Sequence, residues 1–323
     1  MGQVNWGIVG PGGIASDFAQ AIKEVNGDIF GVWGRKVEKA KDFADRLGVK
    51  HVYEETSEMF RDERIDVVYI ATPHSVHYSY IMDALHAGKH VLCEKAITMN
   101  GEQLQEIIAL AESKNLIVAE AMTIYHMPLY GKLRSLIQQG KIGKVNMVNV
   151  TFGSCKENDP TNRFFNPDLA GGGMLDIGTY ALSFTRFFLS GQPTELHTTV
   201  KKHETGVDEQ SGIVMKNDEN EMAVVSLAMR AKMPKRGIVA GDEGFITVDN
   251  FPRADQATIT YTSDGSVETI EAGEEGKALQ YEVKAMNDLI LGEGENWTLP
   301  LSRQVMSLMD TARQKWNLTY DFE

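Results

Sequence analysis

A glycine-rich turn near the start of the chain has the spacing of a phosphate-binding loop. Gly10, Gly12, Gly13, Ile14 and Ala15 form the pattern G-x-G-x-x-A between an apolar run and a segment of helical periodicity. Gly10 allows a tight turn, the bare backbone at Gly12 admits a pyrophosphate, and the following helix N-terminus attracts its negative charge. An isolated match is more often a plain turn, but the strand–turn–helix–strand order favours a dinucleotide site.

The segment after the second predicted strand indicates which dinucleotide binds. NAD-binding domains usually carry an acidic residue about 20 residues further on, where it accepts a hydrogen bond from the ribose 2′-hydroxyl. This chain instead has Arg35 and Lys36, followed by Lys39, and no acid at that point. A guanidinium can bind a 2′-phosphate and stack on adenine. The pattern therefore favours NADP, with NAD as the alternative. The competing interpretation of Arg35, without a cofactor role, is a solvated arginine at the start of a helix.

Glu94 and Lys95 follow the apolar run His90–Cys93. They are predicted at the carboxyl end of a parallel strand, where open α/β sheets bind their ligands. A lysine there can hydrogen-bond the nicotinamide ribose and a substrate hydroxyl, and it stabilises a developing alkoxide. A surface ion pair is the competing explanation, and it is the more common one for an isolated Glu-Lys pair.

A second pair of residues supports the catalytic interpretation. Asp176 and Tyr180 are four residues apart in the stretch Gly171–Tyr180, so a helix would place them on one face. A tyrosine can shuttle a proton when a nearby ammonium stabilises its phenolate. The structural alternatives are a half-buried packing tyrosine and a helix-capping aspartate. Together with Lys95, the pair predicts three catalytic residues: Lys95, Tyr180 and Asp176.

Four motifs, in order along nearly the whole chain, resemble those of the glucose–fructose oxidoreductase and inositol dehydrogenase family (Gfo/Idh/MocA). They are G-x-G-x-x-A, Ala71-Thr-Pro-His74-x-x-His77, Glu94-Lys95 and Gly173-x-x-Asp176-Ile-Gly-x-Tyr180. Within that family, His203–Asp208 and Gly34-Arg35 are similar to the branch of dimeric dihydrodiol dehydrogenases and NADP-dependent D-xylose dehydrogenases.

The resemblance implies roles for individual residues. Lys95 would orient substrate and cofactor, Tyr180 would be the general acid and base, and Asp176 would assist. Arg35 would hold the 2′-phosphate. The predicted cofactor-binding residues are Gly10, Gly12, Gly13, Ile14, Arg35, Lys39, Ala71, Thr72, His74, His77, Glu94 and Lys95.

Two positions depart from the family pattern. Ala96 stands where the family has proline after the lysine, and Thr123 stands where the nearest branch carries a pocket tryptophan. The second departure argues against an aromatic diol as substrate. His74 and His77 lack a third metal ligand at suitable spacing, so we predict cofactor contacts or packing for them and no metal site.

The elements that must position these groups fall into two predicted domains. Over residues 1–121, short apolar strands alternate with amphipathic helices, which predicts a Rossmann domain with a doubly wound parallel sheet. Over residues 122–323, successive strands with flanking helices predict an α+β domain on a large, mostly antiparallel open sheet that binds substrate. One face of that sheet needs a cover, so we expect a homodimer or higher homo-oligomer through it.

Composition narrows the class of partner. The chain has a net charge of −13, which argues against a nucleic-acid or anionic-membrane partner. It has no apolar run of the roughly 18 residues that a membrane span needs, no visible secretory signal, and two cysteines. We therefore expect a soluble, cytoplasmic protein.

The sequence thus predicts an α/β enzyme that transfers a hydride between NADP(H) and a small polyhydroxylated substrate. That substrate would be a sugar, a polyol or a vicinal diol, or the matching carbonyl compound. One alternative is a non-catalytic NADP(H)-sensing protein, because a fold alone does not give function. Another is an enzyme that reduces an imine or a conjugated double bond.

Overall fold

The computed structural model describes residues 4–323, which form two compact units. The first comprises the described residues up to Met122 together with 276–299, and the second comprises 123–275 together with 300–323.

A sheet of six parallel strands forms the centre of the first unit, in the order β3-β2-β1-β4-β5-β6. The strands are β1 (Asn5–Val9), β2 (Asp28–Trp33), β3 (His51–Tyr53), β4 (Val67–Ile70), β5 (His90–Glu94) and β6 (Val118–Ala121). Every residue of β4 is buried, as its continuous apolar run predicts for a strand covered on both faces. The strand order reverses between β1 and β4, where a doubly wound sheet binds its ligand.

Helices connect these strands, which confirms the predicted Rossmann architecture. They are α1 (Gly13–Glu24), α2 (Val37–Leu47), α3 (Thr56–Arg61), α4 (His77–His86) and α5 (Gly101–Ser113). Their ends follow the sequence signals. Gly48 ends α2 in the left-handed conformation, with φ of +58°. Asn100 caps α5, its side chain accepting a hydrogen bond from the Gln103 N–H.

The second unit contains the predicted large sheet, with strand order β14-β13-β12-β11-β7-β10-β9-β8. All its pairings are antiparallel except that of β7 with β10. The strands are β7 (Val145–Gly153), β8 (Pro193–Lys202), β9 (Asp208–Asn217), β10 (Met222–Ala228), β11 (Met233–Gly241), β12 (Gly244–Asp249), β13 (Gln256–Tyr261) and β14 (Val267–Glu271).

The remaining helices are α6 (Thr123–His126), α7 (Pro128–Gln138), α8 (Thr179–Phe188), α9 (Ala278–Ile290) and α10 (Thr298–Lys315). Helix α8 packs on β7, β10 and β11 and covers one face of the large sheet. Gly237 makes this packing close, because a Cβ there would lie 2.3 Å from the Phe184 ring. Within residues 4–323, none of the helices is long and apolar enough to cross a membrane.

Helix α9 belongs to the first unit, although it follows the second sheet in sequence. Its residues Leu279, Val283 and Met286 join the core that contains Trp6. The Trp6 indole N–H donates a hydrogen bond to the α9 residue Asn287 (3.2 Å). The core of the first unit is therefore completed by a segment that follows the second sheet in sequence.

Candidate active site

The glycine turn after β1 leaves open backbone at the start of α1. Gly10 has a φ of +96°, and a Cβ there would lie 2.6 Å from the Ala71 carbonyl oxygen, so the position requires glycine. At Gly12 and Gly13, in contrast, apart from the adjacent residues and the backbone of α1 itself, no atom of residues 4–323 lies within 4 Å of the place a Cβ would take. Because no described side chain caps α1, its first N–H groups can bind an anion.

A buried hydroxyl lies beside this turn. Thr72 follows the carboxyl end of β4, and its methyl group would lie 3.1 Å from a Cβ at Gly10. Its Oγ1 is buried and has no hydrogen-bond partner within residues 4–323. A buried polar atom without a partner is costly, and a ligand at the turn would satisfy it. The open glycine backbone and this hydroxyl together fit a bound dinucleotide.

The second end of the predicted cofactor site lies at the junction of β2 and α2. Arg35 and Lys39 are both exposed there. Arg35 is close enough to Tyr80 on α4 to offset part of the rise in the pKa of Tyr80 that burial causes. The Tyr80 ring lies 5.6 Å from the Trp33 ring, whose indole N–H donates to the Glu54 carbonyl (3.0 Å). A guanidinium beside aromatic rings suits an adenine with a 2′-phosphate.

Two histidines connect the loops after β4 and β5. The buried His77 has its Nδ1 2.9 Å from the Ala96 carbonyl oxygen and its Nε2 2.8 Å from that of Thr72. His74 Nε2 lies 3.1 Å from the Lys95 carbonyl oxygen. Burial lowers the pKa of His77, which favours the neutral ring, and the neutral ring donates to one of the carbonyl oxygens of Ala96 and Thr72. Both histidines therefore hold the backbone around Lys95, and their direct contact with a cofactor stays a prediction.

Two carboxylates also hold the loop after β5 that bears Lys95. Glu94 accepts a hydrogen bond from the Tyr69 hydroxyl, and the Tyr69 ring stacks on Phe18 at 3.8 Å. Glu120 accepts a hydrogen bond from the Ile97 N–H (3.1 Å). These contacts fix the chain on both sides of the half-buried Lys95, at the carboxyl end of β5. Within residues 4–323, no three His, Cys, Asp or Glu side chains are grouped so as to hold a metal ion.

Asp176 and Tyr180 lie in the second unit, on the segment that leads into α8. The sequence predicts a helix from Asp176 to Leu189. The structure has a π-helical turn over Met174–Gly178 before α8 begins, and such turns are frequent at functional sites. Asp176 is 9% exposed and Tyr180 is half-buried, its ring 6.4 Å from that of Phe152.

Sequence reasoning assigned no role to Arg163, which is also close to Asp176. Its Nη1 lies 3.9 Å from Asp176 Oδ1, at the margin of an ion pair. Its guanidinium also lies 4.3 Å from the Phe164 ring, and the Lys156 ammonium lies 4.0 Å from the same ring. Arg163 is in an irregular loop with neither periodicity nor motif, so nothing in the sequence could have placed it beside Asp176.

Thr123 does not replace the branch's pocket tryptophan with another pocket residue. Its side chain is buried, and its hydroxyl donates a hydrogen bond to the Pro252 carbonyl (2.6 Å) within the second unit. The position is therefore structural in this chain.

The predicted site residues thus form separate groups. The phosphate turn, Arg35, Lys39, and the loops bearing Ala71–His77 and Glu94–Lys95 belong to the first unit. Asp176 and Tyr180 belong to the second. Tyr80 in the first unit is a further candidate for contact with the adenine end of the cofactor. Its position on α4, three residues after His77, is the sequence signal that could have indicated it.

Comparison with known families accounts for both units. Residues 4–122 match the oxidoreductase family with an NAD-binding Rossmann fold, GFO/IDH/MocA, and residues 130–247 match the GFO/IDH/MocA C-terminal domain. A relative from Xenopus tropicalis, trans-1,2-dihydrobenzene-1,2-diol dehydrogenase, is 30% identical over 98% of this chain and 98% of its own. The chain belongs to the Gfo/Idh/MocA family.

This family member also resembles other proteins along its length. The trans-1,2-dihydrobenzene-1,2-diol dehydrogenase from Homo sapiens is 31% identical, over 76% of this chain and 75% of its own. A 3-ketoreductase from Actinomadura kijaniata, solved with NADP and TDP-benzene, superposes with a TM-score of 0.87 at 20% identity, over 97% of this chain and 98% of its own. Levoglucosan dehydrogenase, solved with NADH and levoglucosan, gives 0.88 at 19% identity, over 98% of each chain. At these identities the solved structures show the shared fold, and the family assignment makes the chain an oxidoreductase with a Rossmann domain for an NAD-type cofactor.

Proposed function

We propose that this oxidoreductase transfers a hydride between NADP(H) and a carbon that bears a hydroxyl group. The substrate would be a sugar, a polyol or a vicinal diol, or the matching carbonyl compound. The observation that carries the proposal is that Lys95, Asp176 and Tyr180 are all present in a family whose first domain binds a dinucleotide. The name of the full-length Xenopus relative, a diol dehydrogenase, supports the substrate class.

The choice of NADP rests on the junction of β2 and α2. Arg35 and Lys39 place positive charge where an NAD-specific domain usually has a carboxylate. The neighbouring Tyr80 and Trp33 rings offer flat surfaces for adenine. An arginine binds phosphate with two parallel hydrogen bonds, which adds geometric selectivity to charge.

The chain's own groups would handle the proton of the reaction. In the oxidation direction, the substrate C–H bond breaks as a hydride and the O–H bond breaks as a proton, leaving a carbonyl. The nicotinamide supplies the hydride acceptor. The Tyr180 phenolate takes the proton, and the Lys95 ammonium stabilises negative charge on the substrate oxygen. Asp176 orients a neighbouring substrate hydroxyl, and in reduction the same groups act in reverse.

The open face of the large sheet supports the proposal of a homo-oligomer. Four apolar side chains, each more than a third exposed, lie in one row across it, with Ala240 and Thr260 between them. The four are Met222, Met147, Phe245 and Val267. A monomer rarely leaves a large apolar patch uncovered, and a two-fold dimer buries the same patch on both copies. Replacing Met147 and Met222 by aspartate should convert a dimer to a monomer in light scattering; a wild type that is monomeric at all concentrations removes the proposal.

The cysteines fit the proposed cytoplasmic location. Both are free thiols: Cys93 is buried and Cys155 is exposed. An exposed free thiol persists in a reducing compartment.

The experiment that tests the function has two stages. Titration of the purified protein with NADPH and NADH, followed by nicotinamide fluorescence, should show tighter binding of NADPH. A panel of sugars, polyols and vicinal diols with NADP⁺ should then give NADPH absorbance with at least one member. Tyr180→Phe and Lys95→Met should each lower kcat about 100-fold or more while NADPH still binds.

Tyr261→Phe is the matched control, because it removes a hydroxyl that, within residues 4–323, bonds only Glu268 on the neighbouring strand. Its kcat should equal that of the wild type. Undiminished turnover in Lys95→Met would remove Lys95 from the mechanism. Tight NADPH binding without hydride transfer to any compound would favour the sensor alternative, and binding of neither nucleotide would overturn the proposal.

A further inference from the structure

A buried carboxylate supports the turn that carries Asp176. Asp208 is the first residue of β9 and is 1% exposed. Its Oδ2 accepts a hydrogen bond of 2.6 Å from the N–H of Met174, the first residue of the π-helical turn. A hydrogen bond from an N–H to a charged acceptor is among the stronger ones in proteins. Asp208 is thus attached to the start of the segment that ends in Tyr180.

The three glycines before Met174 make this approach sterically feasible. Gly172 has a φ of +127°, and a Cβ there would lie 2.3 Å from Asp208 Oδ1. A Cβ at Gly173 would lie 3.2 Å from Asp208 Oδ2. The closeness of the carboxylate therefore explains Gly172 and Gly173, whereas a Cβ at Gly171 would lie 2.9 Å from the carbonyl oxygens of Phe164 and Asn166.

The C-terminal residues hold the other end of the glycine run. The Tyr320 hydroxyl donates a buried hydrogen bond of 2.5 Å to the Gly171 carbonyl. The Arg313 guanidinium lies 5.0 Å from the Tyr320 ring and forms a largely buried ion pair with Glu323 at 2.5 Å. Glu323 also accepts a hydrogen bond from the Tyr320 N–H (3.1 Å). The turn is therefore held at Gly171 and again at Met174.

We propose that Asp208 is a positioning residue that sets the orientation of Asp176 and Tyr180 by fixing the Met174 N–H. The inference rests on the proposed function for the meaning of that orientation, but the contact itself is independent of any reaction. In this role Asp208 acts through the backbone of the turn, by its contact with the Met174 N–H.

The surroundings of Asp208 make its charge state sensitive to pH. Burial raises its pKa to about 6, although the N–H groups of Met174 and Gly173 and the charge of Arg313 oppose the rise. Its Oδ1 has no hydrogen-bond partner within residues 4–323. The Tyr320 hydroxyl is also close to Asp208, and the charge of Asp208 contributes to the raised pKa of Tyr320. Protonation of Asp208 would replace a charged acceptor of the Met174 N–H by a neutral, weaker one.

The charged side chains on the elements around Asp208 form contacts with other groups. Lys202 lies opposite Asp208 in the β8–β9 ladder, and its ammonium donates to the Asn317 carbonyl. Glu323 pairs with Arg313. Glu209, the next residue of β9, pairs with Lys201. Glu209 is 6% exposed and its carboxylate is engaged with Lys201, which makes it a matched control.

The first test needs no substrate. Amide hydrogen exchange of the peptide that covers 171–180 should be about tenfold faster in Asp208→Ala than in the wild type, because the Met174 N–H loses its acceptor. Asp208→Asn retains a neutral, weaker acceptor and should exchange at a rate between those of Asp208→Ala and the wild type. Glu209→Gln should exchange like the wild type. Equal exchange in Asp208→Ala and the wild type would overturn the proposal whether or not the protein turns over any compound.

The second test uses the pH dependence of kcat for whichever compound the panel identifies. Asp208→Ala should lower kcat about tenfold with NADPH affinity unchanged. Asp208→Asn has a neutral acceptor at every pH, like the protonated carboxyl, so it should lower kcat about threefold near pH 8, and the difference from the wild type should close below about pH 6. An acidic limb identical in Asp208→Asn and the wild type would refute the role. A wild type without turnover would refute the proposed function alone, since hydrogen exchange still decides the contact.

Discussion

The stability of the protein should depend on the charge of Asp208 in a direction opposite to that of an ordinary ion-paired aspartate. The pKa of Asp208 is about 6 in the folded chain, against 3.8 for an exposed aspartate. Between these values the folded state binds the proton more tightly than the unfolded state. The group therefore stabilises the fold at low pH, and this contribution is lost as pH rises through 6.

The size of the effect follows from the two pKa values. Between about pH 7.5 and about pH 4.5, linkage gives roughly 2 kcal/mol of added stability from Asp208. Asp208→Asn cannot titrate and lacks this contribution. On acidification over the same pH range, the Tm of the wild type relative to that of Asp208→Asn should therefore rise by about 4–8 °C. Differential scanning fluorimetry of both proteins at matched ionic strength measures the gap. A gap that is constant with pH, or that closes on acidification, would refute the assignment of a raised pKa to this carboxyl.

Three further outcomes are expected. Replacing Arg35 by methionine should weaken NADPH binding about 10- to 100-fold and NADH binding less than about threefold, measured by nicotinamide fluorescence, because one charge-assisted phosphate contact is lost; Arg46→Met, at the far end of α2, is the control, and an equal loss for both nucleotides would contradict the assigned contact. Gly172→Ala should lower the Tm by several degrees, since its Cβ would overlap Asp208 Oδ1 and its φ is unfavourable for alanine; a Tm equal to that of the wild type would mean that the turn relaxes at no cost. Asp62 should behave in the opposite sense to Asp208, because hydrogen bonds from the Arg64 guanidinium hold the pKa of Asp62 below its usual range. Asp62→Asn should therefore be less stable than the wild type at neutral pH, and this difference should vanish as the pH is lowered through the pKa of Asp62. Thermal scans along a pH series measure the difference, and a difference that does not change with pH would contradict the assignment.

Much of the fold was predictable because its signals are local. The apolar periodicity of the first 121 residues indicates the alternation of buried strands with amphipathic helices, and the G-x-G-x-x-A spacing indicates the glycine turn. Strand β3 gave no such signal, because it is three residues long and its first residue, His51, is exposed. The parallel pairing of β7 with β10 and the packing of α9 on α1 both join distant segments, and periodicity contains no information on such partners.

The candidate site divides in the same way. Gly10, Arg35 and Lys95 could be found from motif order and from the strand ends that bear them. Asp208 appeared in the sequence only as the end of a family-like stretch, since its contact with Met174 spans 34 residues. The π-helical turn was also unpredictable, because a four-residue spacing does not distinguish it from an α-helix. Arg163 lies in a loop of irregular backbone, where no spacing rule applies.

The two cysteines offer a practical consequence. Cys93 is fully buried in β5, whereas Cys155 is exposed, at the start of the loop that also bears Lys156 and Arg163. A maleimide fluorophore should therefore attach to the native, unmutated chain at a single place. The dye would report on the surroundings of that loop as cofactor or sugar is added, so binding in the second unit could be followed optically even for compounds that are never turned over.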